Sequence, residues 1–180
     1  MSKTLNVLLA GFGGQGILFA GKTIAYSGLM DNKEISWLPS YGPEMRGGTC
    51  NCSVVISEES IGSPLVTQPD VLIAMNLPSL DRYENDTVKG GMILVDSTLI
   101  ARKVIRDDVK AFYIPATQMA IDAGVPTLAN MILIGKMIKE TGVFSFDDMI
   151  DTVKRLVPAK KAELIEKNML ALEAGYNYQG

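Results

Sequence analysis

Apolar and polar positions follow two alternating patterns along this chain. Short, continuous apolar runs, typical of strands buried on both faces, are separated by segments in which apolar residues recur at helical spacing. The runs predict strands at residues 4–10, 34–38, 50–57, 70–75, 91–96 and 110–114. The helical spacing, with proline and glycine as start and stop signals, predicts helices at residues 17–29, 78–85, from 115 onward, 127–141, 145–157 and 158–174.

This order of strands and helices predicts an α/β fold with a largely parallel sheet. No helix-length segment separates the second and third predicted strands, which leaves open an antiparallel pair and hence a mixed sheet. The chain has 180 residues, with no repeat, low-complexity tract or interdomain linker. We therefore expect a single domain over residues 1–180, large enough to bury an ordinary core.

A glycine-rich segment, Gly11–Gly16, stands between the first predicted strand and the first helix. A strand, the spacing G-x-G-x-x-G and then a helix are typical of a phosphate-binding turn. An NAD site would also need an acid near the end of the second strand, and residues 36–40 contain none. Two interpretations stay open: a ligand-binding turn, or a glycine turn that lets the helix pack closely on the strand.

A second glycine-rich segment, Tyr41–Gly48, reads YGPEMRGG and cannot continue a regular helix or strand. It holds one acid, Glu44, and one base, Arg46. The two could neutralise each other in an ordinary surface turn. Alternatively, the planar guanidinium of Arg46 could bind an external carboxylate or phosphate.

The composition narrows the chemistry, because the chain contains no histidine. Histidine is the commonest general base near neutral pH and the commonest metal ligand. A Ser-His-Asp or Cys-His nucleophile is therefore excluded, and any chemistry of this chain alone must use carboxylates, lysines or a bound cofactor. In a chain with two glycine-rich loops, this indicates one part of a larger catalyst. Cys50 and Cys52, two positions apart in a predicted strand, are expected to be reduced thiols in the core or near a site.

Charge and hydropathy argue against two classes of partner. The net charge is −3 and no basic run is present, so we expect no nucleic-acid binding. No apolar stretch approaches the roughly 20 residues that span a bilayer, and the N-terminus lacks a signal-peptide pattern. We expect a cytoplasmic protein that does not bind membranes.

Several smaller features carry predictions of their own. Asp96–Thr98 ends a buried strand, where polar groups either face a ligand or cap a turn. Asn130 and Gly135 interrupt an apolar helix and could allow close packing against a neighbour. Gly175 is predicted to cap the last helix, and the tail after it, residues 176–180, could either fray or dock on a partner.

The motifs together resemble one enzyme family. The turn GFGGQG, the loop SYGPEMRGG, and the segments IGSP at 61–64 and PDVLIAMN at 69–76 are similar to the gamma subunit of 2-oxoacid:ferredoxin oxidoreductases. The resemblance covers essentially the whole chain. It implies a three-layer α/β/α domain in a complex that oxidises a 2-oxoacid to an acyl-coenzyme A and CO2, passing electrons to ferredoxin.

The resemblance also implies where the cofactors lie. Thiamine diphosphate with magnesium would sit between alpha- and beta-type subunits, and [4Fe-4S] clusters would sit on other subunits, including a ferredoxin-like delta-type subunit. This chain would itself hold no cofactor, no metal and no catalytic residue. The isolated chain would be inactive and could self-associate. A 2-oxoglutarate type is favoured, and a branched-chain 2-oxoacid (ketoisovalerate) type comes next.

The resemblance places the two glycine segments at a subunit interface beside the cleft for coenzyme A and substrate. The predicted binding residues are Gly11, Gly13, Gly14, Gln15, Gly16, Tyr41, Gly42, Pro43, Glu44, Arg46, Gly47 and Gly48. The alternatives are a free-standing dinucleotide-dependent oxidoreductase and a small nucleotide-binding module. The missing ribose-binding acid and the single-domain length oppose the first of these.

Overall fold

The structure, a computed structural model, describes residues 4–41 and 49–180 of the chain. The strands are β1 Thr4–Phe12, β2 Glu34–Tyr41, β3 Thr49–Ser57, β4 Val71–Ala74, β5 Met92–Asp96 and β6 Lys110–Ile114. The helices are α1 Ile17–Met30, α2 Leu77–Tyr83, α3 Ala116–Asp122, α4 Ala129–Thr141, α5 Phe146–Leu156 and α6 Ala162–Asn177. Short 3₁₀ turns at Glu84–Asp86 and Ala159–Lys161 follow α2 and precede α6.

The six described strands form one sheet in the order β2-β3-β1-β4-β5-β6. β1, β4, β5 and β6 pair in parallel, whereas β3 is antiparallel to both β1 and β2. The predicted α/β class is confirmed, and the antiparallel pair left open by the sequence is present. The hairpin β2–β3 is inserted so that β3, rather than β2, lies beside β1.

The two faces of the sheet are covered unequally. Val7 and Leu9 of β1 face a large core built with α1, α4, α5 and α6. Leu8 faces the other way, into a smaller core with Leu80 of α2 and Ile100 of the segment after β5. This second layer is thin, since much of it consists of connecting segments.

A buried carboxylate holds the long connection between β5 and β6. Glu84 is 1% exposed, and its Oε2 accepts a hydrogen bond from Arg102 Nη2 at 2.7 Å. Its Oε1 accepts another from the backbone N–H of Ile105. A connection without a helix is thereby fixed to the end of α2.

Gly175 does not end the last helix as the sequence predicted. α6 continues to Asn177, and Gly175 is buried where α6 crosses α4. A Cβ built at Gly175 would lie 1.8 Å from the carbonyl oxygen of Ile132, and one at Gly135 would lie 2.1 Å from that of Leu172. These glycines let the two backbones touch, so close packing wins over the capping role.

The C-terminal tail docks on its own domain. The ring of Tyr176 packs against Phe146 with 4.9 Å between centroids, and the carbonyl of Tyr178 accepts a hydrogen bond from the buried Lys136 at 2.9 Å.

Asp96, 0% exposed, accepts hydrogen bonds from the N–H of Thr98 and from the hydroxyl of Thr117. Its role in this structure is therefore to cap the segments that follow β5 and β6.

Candidate functional site

The two glycine segments begin at the same edge of the sheet. Phe12, the last residue of β1, pairs with Thr49, and Tyr41, the last residue of β2, pairs with Cys50. β1 and β2 run in the same direction on either side of β3, so the turn after β1 and the segment after β2 both begin at the same end of the sheet. Gly42, Pro43, Glu44, Arg46, Gly47 and Gly48 lie outside the described residues, so the roles predicted for them stay predictions.

The turn after β1 has the backbone that its glycines allow. Gly14 and Gly16 have φ angles of 93° and 74°, in the left-handed region that side chains other than glycine rarely adopt. Gly16 is the N-cap of α1 and offers no side chain to the first turn of that helix, which also contains no acid. The partial positive charge at the start of this 14-residue helix is therefore available to an anion.

Gln15 closes the turn by bridging two strands. Its Oε1 accepts a hydrogen bond from the N–H of Phe12 at 2.6 Å, and its Nε2 donates to the carbonyl of Met75 at 3.0 Å. Gly11 is needed below it, because a Cβ there would lie 2.5 Å from Gln15 Oε1. The geometry gives the Gln15 amide an internal role, and contact with a ligand stays a prediction.

The Gln15 bridge lies where an α/β sheet usually binds its ligand. The connection after β1 covers one face of the sheet with α1, while the connection after the neighbouring β4 covers the other face with α2. Ligands favour the crevice at such a reversal, beyond the carboxyl ends of the strands. Here the amide of Gln15 spans that crevice, from the N–H of Phe12 to the carbonyl of Met75.

The topology also differs from a dinucleotide-binding unit. In such a unit the strand after the first helix lies beside the first strand and its end carries the ribose-binding acid. Here β2 is separated from β1 by β3. The glycine spacing is therefore present without the strand arrangement that would hold a dinucleotide.

A cavity of about 220 Å³ lies on the outer side of the turn. It is lined by Phe12, Gly13, Gly14, Gly16, Ile17, Leu18, Phe19 and Cys50.

Cys50 and Cys52 are free and buried, and burial raises the pKa of both thiols. For Cys52 the value reaches about 12, against a smaller lowering by a hydrogen bond with Trp37. Neutral thiols suit packing rather than nucleophilic chemistry.

One residue at the turn has a role that the sequence did not reveal. Asn130, at the start of α4, donates a hydrogen bond from Nδ2 to the carbonyl of Gly16 at 3.0 Å. The sequence signal was an amide in an otherwise apolar helix, and this signal indicated close packing but not the partner. The predicted close packing is confirmed, since a Cβ on Gly16 would lie 2.5 Å from Asn130 Nδ2.

A second cavity, of about 500 Å³, lies over the other face of β2 and β3. Its lining includes Leu38, Ser40, Asn51 and Ser53 of the two strands. Tyr83 also lines it, and the hydroxyl of Tyr83 accepts a hydrogen bond from Asn51.

Within residues 4–41 and 49–180, no group of three or more Cys, Asp and Glu side chains is placed to hold a metal ion. In the same part of the chain, no helix has both the length and the apolar character to cross a bilayer.

Sequence comparison shows which known proteins this chain is similar to. The chain matches the family described as pyruvate ferredoxin/flavodoxin oxidoreductase over residues 6–178. It is 41% identical over 172 residues to the ketoisovalerate oxidoreductase subunit VorA of Methanothermobacter thermautotrophicus, covering 95% of this chain and 35% of that relative. It is 39% identical over 174 residues to the 2-oxoglutarate synthase subunit KorC of Methanocaldococcus jannaschii, covering 95% of this chain and 91% of KorC. The chain thus spans about a third of the length of VorA and nearly all of KorC.

Solved structures share the fold. The gamma subunit of a keto/oxoacid ferredoxin oxidoreductase from Geobacter sulfurreducens superposes with a TM-score of 0.82 at 30% identity, over 96% of both chains. The 2-oxoglutarate:ferredoxin oxidoreductase from Magnetococcus marinus, solved with 2-oxoglutarate, coenzyme A and succinyl-CoA bound, gives 0.88 at 22% identity. It covers 98% of this chain and 31% of that one. The second likeness is one of fold.

Proposed function

Because this chain belongs to the pyruvate ferredoxin/flavodoxin oxidoreductase family, we propose that it acts as the gamma-type subunit of a 2-oxoacid:ferredoxin oxidoreductase. The complex would oxidise a 2-oxoacid to an acyl-coenzyme A and CO2 and pass the electrons to ferredoxin. The observation that carries the proposal is the common origin of the two glycine segments at one sheet edge, joined by the pairing of Phe12 with Thr49.

The proposed contribution of this chain is to bind and orient coenzyme A. Coenzyme A carries several phosphate groups, and the N-terminal end of α1 offers backbone N–H groups without a competing side-chain cap or acid. Arg46, in the segment between β2 and β3, would supply a planar cation near the same end of the sheet. The Gln15 bridge holds the turn against β4, which favours a ligand on the outer side, next to Gly13 and Gly14.

The redox chemistry would come from partner subunits. Thiamine diphosphate with magnesium, held between alpha- and beta-type subunits, would supply the carbanion chemistry, and [4Fe-4S] clusters on a delta-type and other subunits would carry the electrons. The absence of histidine from the chain agrees with such a division of labour. Within this proposal the chain acts by binding and positioning.

For the 2-oxoacid we propose 2-oxoglutarate, with a branched-chain 2-oxoacid second. KorC proteins, named as 2-oxoglutarate synthase subunits, match nearly end to end at 37–39% identity in three methanogens. The VorA relatives have similar identity, 39–41%, but are much longer. The pyruvate and indolepyruvate relatives match at 28% and 26%, and a further KorC, from Archaeoglobus fulgidus, also matches at 28%.

The test is purification of the tagged chain from its own cells at low salt, with mass spectrometry of the proteins that accompany it. We expect a thiamine-diphosphate-binding subunit and a ferredoxin-like subunit. The complex should then reduce a viologen dye with 2-oxoglutarate only when coenzyme A is present, and more slowly with 3-methyl-2-oxobutanoate. Recovery of the chain by itself, together with micromolar NAD(H) binding, would refute the proposal in favour of a dinucleotide-dependent protein.

A matched pair of variants tests the predicted role of Arg46. Arg46→Ala is expected to weaken assembly or raise the KM for coenzyme A, because a cation beside an anionic ligand is lost. Arg155→Ala removes an exposed arginine on α5 and serves as the control. If the two variants assemble equally well and have the same KM for coenzyme A, the role predicted for Arg46 is wrong.

A further inference from the structure

We propose that Asn130 is a positioning residue for coenzyme A, acting through Gly16 and the first turn of α1. The inference rests on the proposed function, because it assigns to the same turn the phosphate groups of coenzyme A. Asn130 itself would not touch the ligand. It would fix the carbonyl of Gly16, and with it the direction of the backbone N–H groups at the start of α1.

The contact is long-range and tightly fitted. Asn130 Nδ2 donates to Gly16 O at 3.0 Å across 114 positions of sequence. The three nearest heavy atoms that a Cβ on Gly16 would meet all belong to Asn130, the closest at 2.5 Å. Gly16 also needs its positive φ of 74°. The hydrogen bond therefore acts on the residue whose conformation decides how the turn passes into the helix.

The support behind Asn130 is rigid. Every residue of α4 from Ala129 to Ile138 is buried. The helix is fixed against α6 by the backbone contacts at Gly135 and Gly175. A hydrogen bond from such a helix holds its acceptor more precisely than a bond from a surface loop could, and preorganised donors bind an anion with less ordering cost.

The turn is held from two sides. Gln15 ties it to the carbonyl of Met75 on the sheet side, and Asn130 ties Gly16 to the helical layer. Neither amide is directed at the outer cavity lined by Gly13 and Gly14. The residues that shape the candidate site are thus distinct from the backbone groups that would contact the ligand.

Asn168 offers a matched control. It is a buried asparagine on α6, 4% exposed against 3% for Asn130. Its Nδ2 also donates to a carbonyl, but to that of Leu164 in its own helix. Among residues 4–41 and 49–180, the Oδ1 atoms of Asn130 and Asn168 have no hydrogen-bond partner. Alanine at either position removes a buried amide group from the interior. Only Asn130→Ala removes the hydrogen bond to the carbonyl of Gly16.

The experiment compares Asn130→Ala and Asn168→Ala in the assembled complex. We expect Asn130→Ala to raise the KM for coenzyme A roughly fivefold to tenfold, the effect of about one net hydrogen bond. The kcat and the KM for the 2-oxoacid should change less than twofold. Asn168→Ala should lower thermal stability without changing the KM for coenzyme A. An unchanged KM in Asn130→Ala, or an equal rise in both variants, overturns the inference.

Two further measurements separate the possible failures. If Asn130→Ala does not assemble, Asn130→Asp keeps the side-chain volume but cannot donate to Gly16 when ionised. We expect it to raise the KM for coenzyme A further, because it adds a negative charge near the anion; an unchanged KM overturns the inference. A wild-type complex without coenzyme-A-dependent activity overturns the proposed function as well, whereas an active wild type with an unaffected variant overturns only the role of Asn130.

Discussion

Replacement of Gly175 by alanine tests the crossing of α4 and α6. In an exposed helix this change would stabilise the protein by about 1 kcal/mol, because glycine is the poorer helix former. Here the new Cβ would lie 1.8 Å from the carbonyl oxygen of Ile132 and 2.6 Å from its carbonyl carbon. Real Cβ contacts essentially never fall below 3.0 Å, so the two helices would have to separate by about 1 Å or more.

The clash decides the sign of the effect. Overpacking a core costs about 1–3 kcal/mol, and the upper end applies because the obstructing atoms belong to a backbone that cannot rotate away. After the gain in helix propensity, we expect a net loss of about 2 kcal/mol in the free energy of unfolding. For a chain of this length that corresponds to a fall of about 4–8 °C in Tm.

The assay is thermal and urea unfolding of the purified chain, followed by circular dichroism. Gly28→Ala in α1 is the control, because its new Cβ would meet the tip of the Ile35 side chain, 2.2 Å away, which can rotate. We expect the control to stay within about 1 kcal/mol of wild type. Unchanged or increased stability in Gly175→Ala would show that the helices do not approach as closely as described.

Three further predictions concern the turn and the buried polar groups. Gln15→Ala should lower stability by about 1–2 kcal/mol in urea unfolding, since two hydrogen bonds to backbone are lost; no loss would contradict the bridging role. Glu84→Gln should lower the free energy of unfolding by about 1–3 kcal/mol in the same assay, because the buried carboxylate that accepts a hydrogen bond from Arg102 loses its charge. Glu163→Gln, in an exposed ion pair, should change little, and equal effects would refute the distinction. At pH 8 the raised pKa values of Cys50 and Cys52 should keep both thiols unreactive toward a disulfide reagent until urea unfolds the chain. Rapid labelling of the native protein would contradict this prediction. For Cys52, the contribution of the neutral thiol to stability should be lost as the pH rises from 9.0 toward about 12.

The candidate site was predictable where its signal is local. The turn Gly11–Gly16 lies between β1 and α1 as the sequence predicted, because glycine spacing, an apolar run and helical periodicity are properties of adjacent residues. The partners of its side chains were not predictable. Gln15 bonds to Met75 and Gly16 to Asn130, and these pairs are 60 and 114 positions apart.

The sequence by itself determined the six strands and six helices of the described residues to within a few positions, together with the α/β class. Only the tertiary structure decided that β3 lies between β2 and β1 and that Gly175 serves a helix crossing rather than a helix end. The physical reason is the range of the interactions. Periodicity and capping act within one or two turns of chain, whereas strand order and helix contact depend on which distant surfaces pack together.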